Sequence, residues 1–274
     1  MGKWMTVEKE RLDVLLVNKG YFTSREQARR SIMAGLVFVN QERIDKAGTK
    51  VLLSASIEVK GKLHPYVSRG GLKLEEAIKV FDVNLQGKIM LDIGASTGGF
   101  TDCALQHGVK QVYAIDVGYG QLAWKLRQDD RVVVMERTNF RYLEPENLSG
   151  EMPNIATIDV SFISLSHILP TLKKLLIAGG EVVALIKPQF EAGKEQVGKK
   201  GIVKDPSVHQ QVLERFVELA SDQGFGLQAL APSPIQGGEG NIEFLSYLLL
   251  GEPSQVDWKL KIPQVVQDAH ARFK

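Results

Sequence analysis

A chain of 274 residues is long enough for one large α/β domain with a smaller one attached, and 44 % hydrophobic with 24 % charged residues excludes a disordered, fibrous or collagenous chain. The longest apolar runs, residues 182–186 and 245–250, stop far short of the ~20 residues of a membrane-spanning helix. The net charge of +2 conceals an asymmetry: residues 1–73 carry 14 basic and 7 acidic side chains, residues 74–274 carry 20 and 25. A basic module ahead of a mildly acidic body points to a polyanionic partner gripped from one end. The first residues mix acids with bases and lack a signal-peptide pattern. The single cysteine, Cys103, forms no internal disulfide and supplies no Cys-rich zinc site, so a cytoplasmic protein without a structural metal is expected.

In chain order, Val7, Leu12, Leu15 and Leu16 recur at helical spacing, and Gly20 stops that helix. Thr23 and Glu26 have capping-box spacing before a second helix, with Ala28, Ile32 and Met33 facing inward and Gly35 past its end. Arg25, Arg29 and Arg30 then lie on or beside one exposed face. Residues 36–40 and 56–59 read as strands, which makes residues 1–61 a small α+β domain. The segments 24–32 and 35–40 resemble the S4 RNA-binding domain. That resemblance implies docking on structured RNA with Arg25, Arg29 and Arg30 on phosphates. Gln41 follows Asn40 where glycine is common, so the local turn shape is at issue.

Residues 62–73, rich in Gly and with Pro65, read as a linker. Over 74–274 strands and helices alternate. Residues 88–93, 112–115, 132–135, 155–158, 182–186, 227–231 and 242–250 read as strands, and 100–106, 122–126, 167–176 and 207–221 as helices. This predicts an α/β fold, a mostly parallel sheet of about seven strands covered on both faces and closed by a late hairpin. The tail from about residue 252, with Trp258 and a helix-like segment at 265–273, is expected only to cover a sheet edge.

Ligands on such sheets sit at the carboxyl ends of strands. The first strand runs into Asp92, Gly94, Ser96, Thr97, Gly98, Gly99 and Phe100, and the second ends at Asp116. A Gly-rich turn followed by a strand-end acid suits the ribose of an adenosine cofactor, NAD almost as well as S-adenosylmethionine. Asp159, Lys187 and Glu243 stand at other strand ends and open toward one cleft. A lysine at the mouth of an apolar strand loses hydration, which suits it to managing a hydroxyl proton.

Residues 68–74, 92–103, 159–164, 187–190 and 243–244 resemble the FtsJ-like methyltransferases and, over nearly the whole chain, the TlyA family, which joins an S4 domain to that catalytic domain. The resemblance implies a Rossmann-like methyltransferase sheet and a Lys-Asp-Lys-Glu tetrad at Lys73, Asp159, Lys187 and Glu243. It implies S-adenosylmethionine as cofactor, held by the Gly-rich turn from Asp92 to Phe100 with Asp116 and Asp159, and methyl transfer to a cytidine ribose 2′-hydroxyl of ribosomal RNA. Ribosomal RNA or ribosomal subunits are the implied partners, with Arg69 a further RNA contact. Three other readings stand beside this one: a haemolysin-like membrane-acting protein, a name often given within the family; an NAD-dependent dehydrogenase; and an RNA-binding protein without catalysis.

Overall fold

Leu12, Leu15, Leu16, Ala28, Ile32 and Val37 belong to a small buried core of their own, and the chain accordingly divides into a unit ending at Pro65 and a second beginning at Tyr66. The computed structural model describes residues 8–22, 24–60, 64–237 and 240–274. The first unit comprises β1 (Lys9–Arg11), α1 (Leu12–Asn18), α2 (Arg25–Met33), β2 (Val37–Val39), β3 (Glu42–Arg43), β4 (Lys50–Leu52) and β5 (Ile57–Val59). β2 lies between β3 and β5, antiparallel to both, while β1 pairs with β4. Asn40 and Gln41 both take positive φ, 51° and 70°, so a tight two-residue hairpin joins β2 to β3 without the expected glycine.

Three details of this unit differ from the sequence reading. Met33, expected to face inward with Ala28 and Ile32, is 70 % exposed at the end of α2, and Ser31 takes the buried place beside Ile32. The cap of α2 is Ser24, whose hydroxyl accepts from the Gln27 backbone N–H at 3.2 Å; Val7 and Thr23 lie outside the described residues. Asp13, in the first turn of α1, is fully buried and accepts from Arg11 Nε at 3.0 Å and from Arg25 Nη2 at 2.9 Å. The hydrogen bond from Arg11, reinforced by Arg25, holds its carboxyl down at about 2 despite burial. Arg25 therefore ties α2 to α1, because a buried carboxylate must keep its cationic partners.

The second unit runs α3 (Gly71–Phe81), β6 (Ile89–Ile93), α4 (Gly99–Gln106), β7 (Gln111–Ile115), α5 (Trp124–Arg127), β8 (Val132–Met135), β9 (Ile155–Ile158), α6 (Leu169–Leu175), β10 (Glu181–Ile186), α7 (Pro188–Glu191), α8 (Pro206–Asp222), β11 (Phe225–Pro232), β12 (Phe244–Leu250) and α9 (Trp258–Arg272). The seven expected strands form one sheet in the order β11-β12-β10-β9-β6-β7-β8. β12 runs antiparallel to β10 and β11, and the other pairs are parallel. Leu91 and Ile93 join a core with α6, α8 and α9, whereas Met90 joins the other with α3, α4 and α5. Successive strand residues thus feed opposite faces, and both faces are apolar because both are covered.

The expected linker is in part structure of the second unit. Tyr66 is buried, Val67 N–H donates to Asp102 at 2.7 Å, and α3, unread in the sequence, begins at Gly71. Residues 61–63 lie outside the described residues. The tail is also more than an edge cover: Ile262, Val265, Val266 and Ala269 of α9 are buried in the core shared with α8 and β11.

Between α8 and α9, His209 Nδ1 lies 2.9 Å from His270 Nε2, and its own Nε2 lies 3.2 Å from the Val203 carbonyl. Burial, with the neighbouring His270, pushes His209 down to about 4. Its folded-state value lies below the ordinary 6.5, so the unfolded chain binds the proton more readily and stability is lost as pH falls from about 6.5 toward 4. Urea unfolding at pH 7 and pH 5 should show this loss, and His209→Gln should flatten it.

Candidate active site

The order of strands reverses between β6 and β9, since the chain winds outward from β6 through β7 to β8 on one side and from β9 to β10 on the other. Such a switch point leaves a crevice beyond the carboxyl ends of the two strands. Gly94, just past β6, has φ +87°, and a Cβ there would stand 2.6 Å from the Asp159 carbonyl oxygen just past β9. Glycine is required both for the conformation and for the approach of the two strand ends.

Around that junction the four ionisable residues meet. Lys187 Nζ is 2.5 Å from Asp159 Oδ1, a close ionic contact, and donates to Ser161 Oγ at 3.1 Å. Lys73 Nζ donates to Glu243 Oε2 at 2.6 Å and lies 3.9 Å from Asp159 Oδ2. Asp159 thus stands between two ammonium groups, and Glu243 closes the far end of the chain of charges. Glu243 is 2 % and Lys73 6 % exposed, so the alternation of sign is what makes this burial tolerable. Each element contributes a reason for the placement. Lys73 comes from the first turn of α3, Lys187 from the end of apolar β10, and Glu243 from the residue before β12. A Cβ on Gly237 would stand 2.0 Å from Glu243 Oε1, so a glycine there leaves space for the carboxylate. Glu191 braces the site from behind: it accepts from Ser164 Oγ at 2.6 Å and from Leu165 N–H at 2.8 Å, tying the loop after β9 to α7.

Two cavities meet here, sharing Gly94, Ser96, Asp159 and Ser161. The first, about 300 Å³, holds the four charges with Arg69, Thr97, Gly99 and Phe100 on its wall. The second, about 330 Å³, is bounded by Asp116, Val117, Thr138, Asn139, Phe140 and Ile163 among others. Asp116 Oδ2 accepts from Ser96 N–H at 2.8 Å and Oδ1 from Gly118 N–H at 2.7 Å, which orients the carboxylate and leaves further lone pairs on both oxygens. Glu136, unread in the sequence, accepts from Gly120 N–H at 3.0 Å and Gln121 N–H at 3.1 Å; the bond from Gly120, with the Arg127 guanidinium and the Leu122 N–H, holds it down at about 2.

Two residues assigned to the cofactor lie elsewhere. Asp92 is buried beneath the turn, accepting from Thr101 Oγ1 at 2.6 Å and Thr157 Oγ1 at 3.2 Å, and burial raises its carboxyl to about 6. It supports the turn from inside the sheet and lines neither cavity. Gly98, at φ +94°, faces Leu122 and Leu126 of the covering layer. Conversely, Ser161, Asn139, Phe140 and Gly237 line the cavities without having been singled out. Ser161 lies within the 159–164 segment that carries the family resemblance, whereas Asn139 and Phe140 carry no local pattern that could have marked them. Among the described residues no His, Cys, Asp and Glu cluster could hold a metal.

Comparison with known proteins follows the same division. Residues 66–249 match the FtsJ-like methyltransferase family and residues 10–57 the S4 domain. YqxC of Bacillus subtilis (strain 168), provisionally named an rRNA methyltransferase, is 58 % identical, with 98 % of this chain and 97 % of that protein covered. The 16S/23S rRNA (cytidine-2′-O)-methyltransferase TlyA of Mycobacterium tuberculosis is 41 % identical over 88 % of this chain and 90 % of its own. A solved structure from Streptococcus thermophilus that bears a hemolysin name superimposes with a TM-score of 0.78 at 54 % identity, covering 98 % of both chains. Methyl transfer, and not hydride transfer, is thus the chemistry of this sheet. The chain belongs to the FtsJ-like methyltransferase family, in the TlyA group that carries an S4 domain ahead of the catalytic one.

Proposed function

We propose that the protein transfers a methyl group from S-adenosylmethionine to the 2′-hydroxyl of a cytidine in ribosomal RNA, with ribosomal subunits as the docking partner. The observation that carries this reading is the Lys187 ammonium, 2.5 Å from Asp159, at the junction of the two cavities. The TlyA relative acts, by its name, on cytidine 2′-oxygens of 16S and 23S rRNA, and the S4 domain at residues 10–57 suits a structured RNA. No helix among the described residues is long and apolar enough to cross a membrane.

The second cavity fits an adenosine. Asp116 offers its remaining lone pairs to the two ribose hydroxyls, Val117, Phe140 and Ile163 supply apolar surface for the base, and Asn139 supplies polar partners for its edge. S-adenosylmethionine bound there supplies a methyl group already activated by its sulfonium. The chain's residues then have two tasks, to hold the 2′-oxygen in line and to manage its proton. Lys187, after giving up one of its own protons to solvent, would orient the hydroxyl and receive its proton as a neutral amine, Asp159 would hold both lysines in register, and Lys73 with Glu243 would fix the network from the buried side. Arg69, exposed on the wall of the first cavity, would meet a phosphate of the target strand.

Lys187→Ala should lower turnover on unmodified ribosomal subunits by about 10²- to 10⁴-fold, while calorimetry finds cofactor affinity little changed; near-normal turnover would remove Lys187 from proton handling. Asp116→Ala should weaken S-adenosylmethionine binding by about 10- to 100-fold, the range for hydrogen bonds to a charged group, with the far-ultraviolet circular dichroism preserved. In the first unit, replacing Arg29 and Arg30 by Ala should make log affinity for ribosomal RNA less steep against log salt by about 1.5 units. Arg25→Ala should instead show mainly as a lower thermal midpoint, since Arg25 partners the buried Asp13.

A further inference from the structure

One stretch of the second unit runs against its acidic balance. Residues 192–204 contain Lys194, Lys199, Lys200 and Lys204 against a single acid, Glu195. All four ammonium groups are exposed. Elsewhere on this unit Lys88, Lys110, Lys125 and Lys174 each lie on a carboxylate, and the lysines that do not, among them Lys79, Lys173, Lys259 and Lys261, are spread over α3, α6 and α9 instead of gathered in one loop. Among the described residues the four lysines of this loop pair with no acid, although Glu195 and Asp205 are close in sequence.

The loop is also held in shape. Gly201 N–H donates to the Gly198 carbonyl at 2.8 Å, closing a β-turn with Lys199 and Lys200 at its two central positions. Gly198 N–H donates to the Ile202 carbonyl at 3.0 Å. Asn241, 3 % exposed, accepts from Val203 N–H at 3.0 Å and donates to the Gly201 carbonyl at 2.9 Å. Its own carbonyl accepts from Gly237 N–H at 2.9 Å, so the lysine turn is bolted to the same segment that delivers Gly237 and Glu243 to the catalytic cavity. The loop leaves the carboxyl end of β10 through α7, the sheet edge on which Asp116 and Asp159 also stand.

We propose that the Lys199–Lys200 turn, with Lys194 and Lys204 beside it, is a phosphate clamp of the catalytic unit that grips the RNA backbone next to the target nucleotide. Compact, unpaired ammonium groups on a braced turn suit consecutive phosphates, which they bind without reading sequence. Because the turn is already ordered, little conformational entropy is lost on binding. Its link through Asn241 to the Glu243 segment places the grip beside the chemistry, so the clamp serves substrate positioning more than cofactor binding. The identity of the substrate rests on the methyltransferase reading above; the grip on a polyanion does not.

The test uses the full chain with Lys199→Gln and Lys200→Gln combined, and a second variant with both changed to Glu. For the Gln pair, the slope of log affinity for ribosomal subunits against log salt should fall by about 1.5 units. KM for subunits should rise several-fold with kcat within about twofold, and the Glu pair should raise KM further. Thermal midpoint and S-adenosylmethionine affinity should stay at parent values. An unchanged slope and KM would overturn the clamp. So would binding of phosphatidylglycerol vesicles that depends on these lysines while RNA binding does not. Should the parent protein methylate no RNA at all, the functional reading fails, and the salt slope still decides the clamp.

Discussion

Two ammonium groups and two carboxylates share one cleft, and the catalytic unit is arranged around keeping them paired. Lys187, Asp159, Lys73 and Glu243 alternate in sign along contacts of 2.5, 3.9 and 2.6 Å. Removing Asp159 leaves Lys187 without its carboxylate and removing Lys73 leaves the buried Glu243 unpaired, and an uncompensated buried charge typically costs about 3–5 kcal/mol. The same constraint suits the chemistry. An ammonium held between a carboxylate and a serine hydroxyl is oriented before the substrate arrives, and less reorganisation is then needed at the moment of reaction.

The supports of this cleft come from the sheet edge and not from the charges themselves. Gly94 lets the ends of β6 and β9 approach to a spacing that a Cβ would forbid, and Gly237 leaves the space that the Glu243 carboxylate occupies. Glu191 fastens the loop after β9 to α7, while Asp116 and Glu136 fasten the glycine-rich turns on the cofactor side through backbone N–H groups. Carboxylates recur in these structural roles because loop N–H groups have no ladder to join and a fixed carboxylate oxygen satisfies them strongly.

Electrostatics divides the labour between the two units. The first unit is basic as a whole, yet two of its arginines, Arg11 and Arg25, are partly committed to the buried Asp13, so net charge overstates the number of cations free to meet phosphate. The second unit is acidic as a whole, yet its loop after α7 gathers four exposed lysines and pairs none of them with an acid. Net charge of a segment therefore says less about where a polyanion binds than the list of cations that have no partner in the folded chain.

The seven strands, the two covered faces and the strand-end positions of Asp116, Asp159 and Lys187 were legible in the sequence. Each depends on local pattern, apolar runs of strand length and the residues that end them. The four members of the tetrad could be named through family motifs, since short motifs carry chemistry along the chain. What required the tertiary structure was everything set by pairing across distance. Lys73 sits on a helix in a stretch that reads as a linker, because its glycines suit close packing against Tyr66 and Phe100 as well as they suit a flexible joint. Asp92 looked like a ligand-facing acid and is a buried brace, since strand alternation does not reveal which polar side chain finds two threonine hydroxyls. The tail joined the core because the apolar face of α9 meets α8 and β11, an encounter that no spacing within the tail encodes. Sequence by itself determined which elements exist and which residues end them; the tertiary structure decided which charges meet, because partners up to 170 positions apart are chosen by the closing of the sheet.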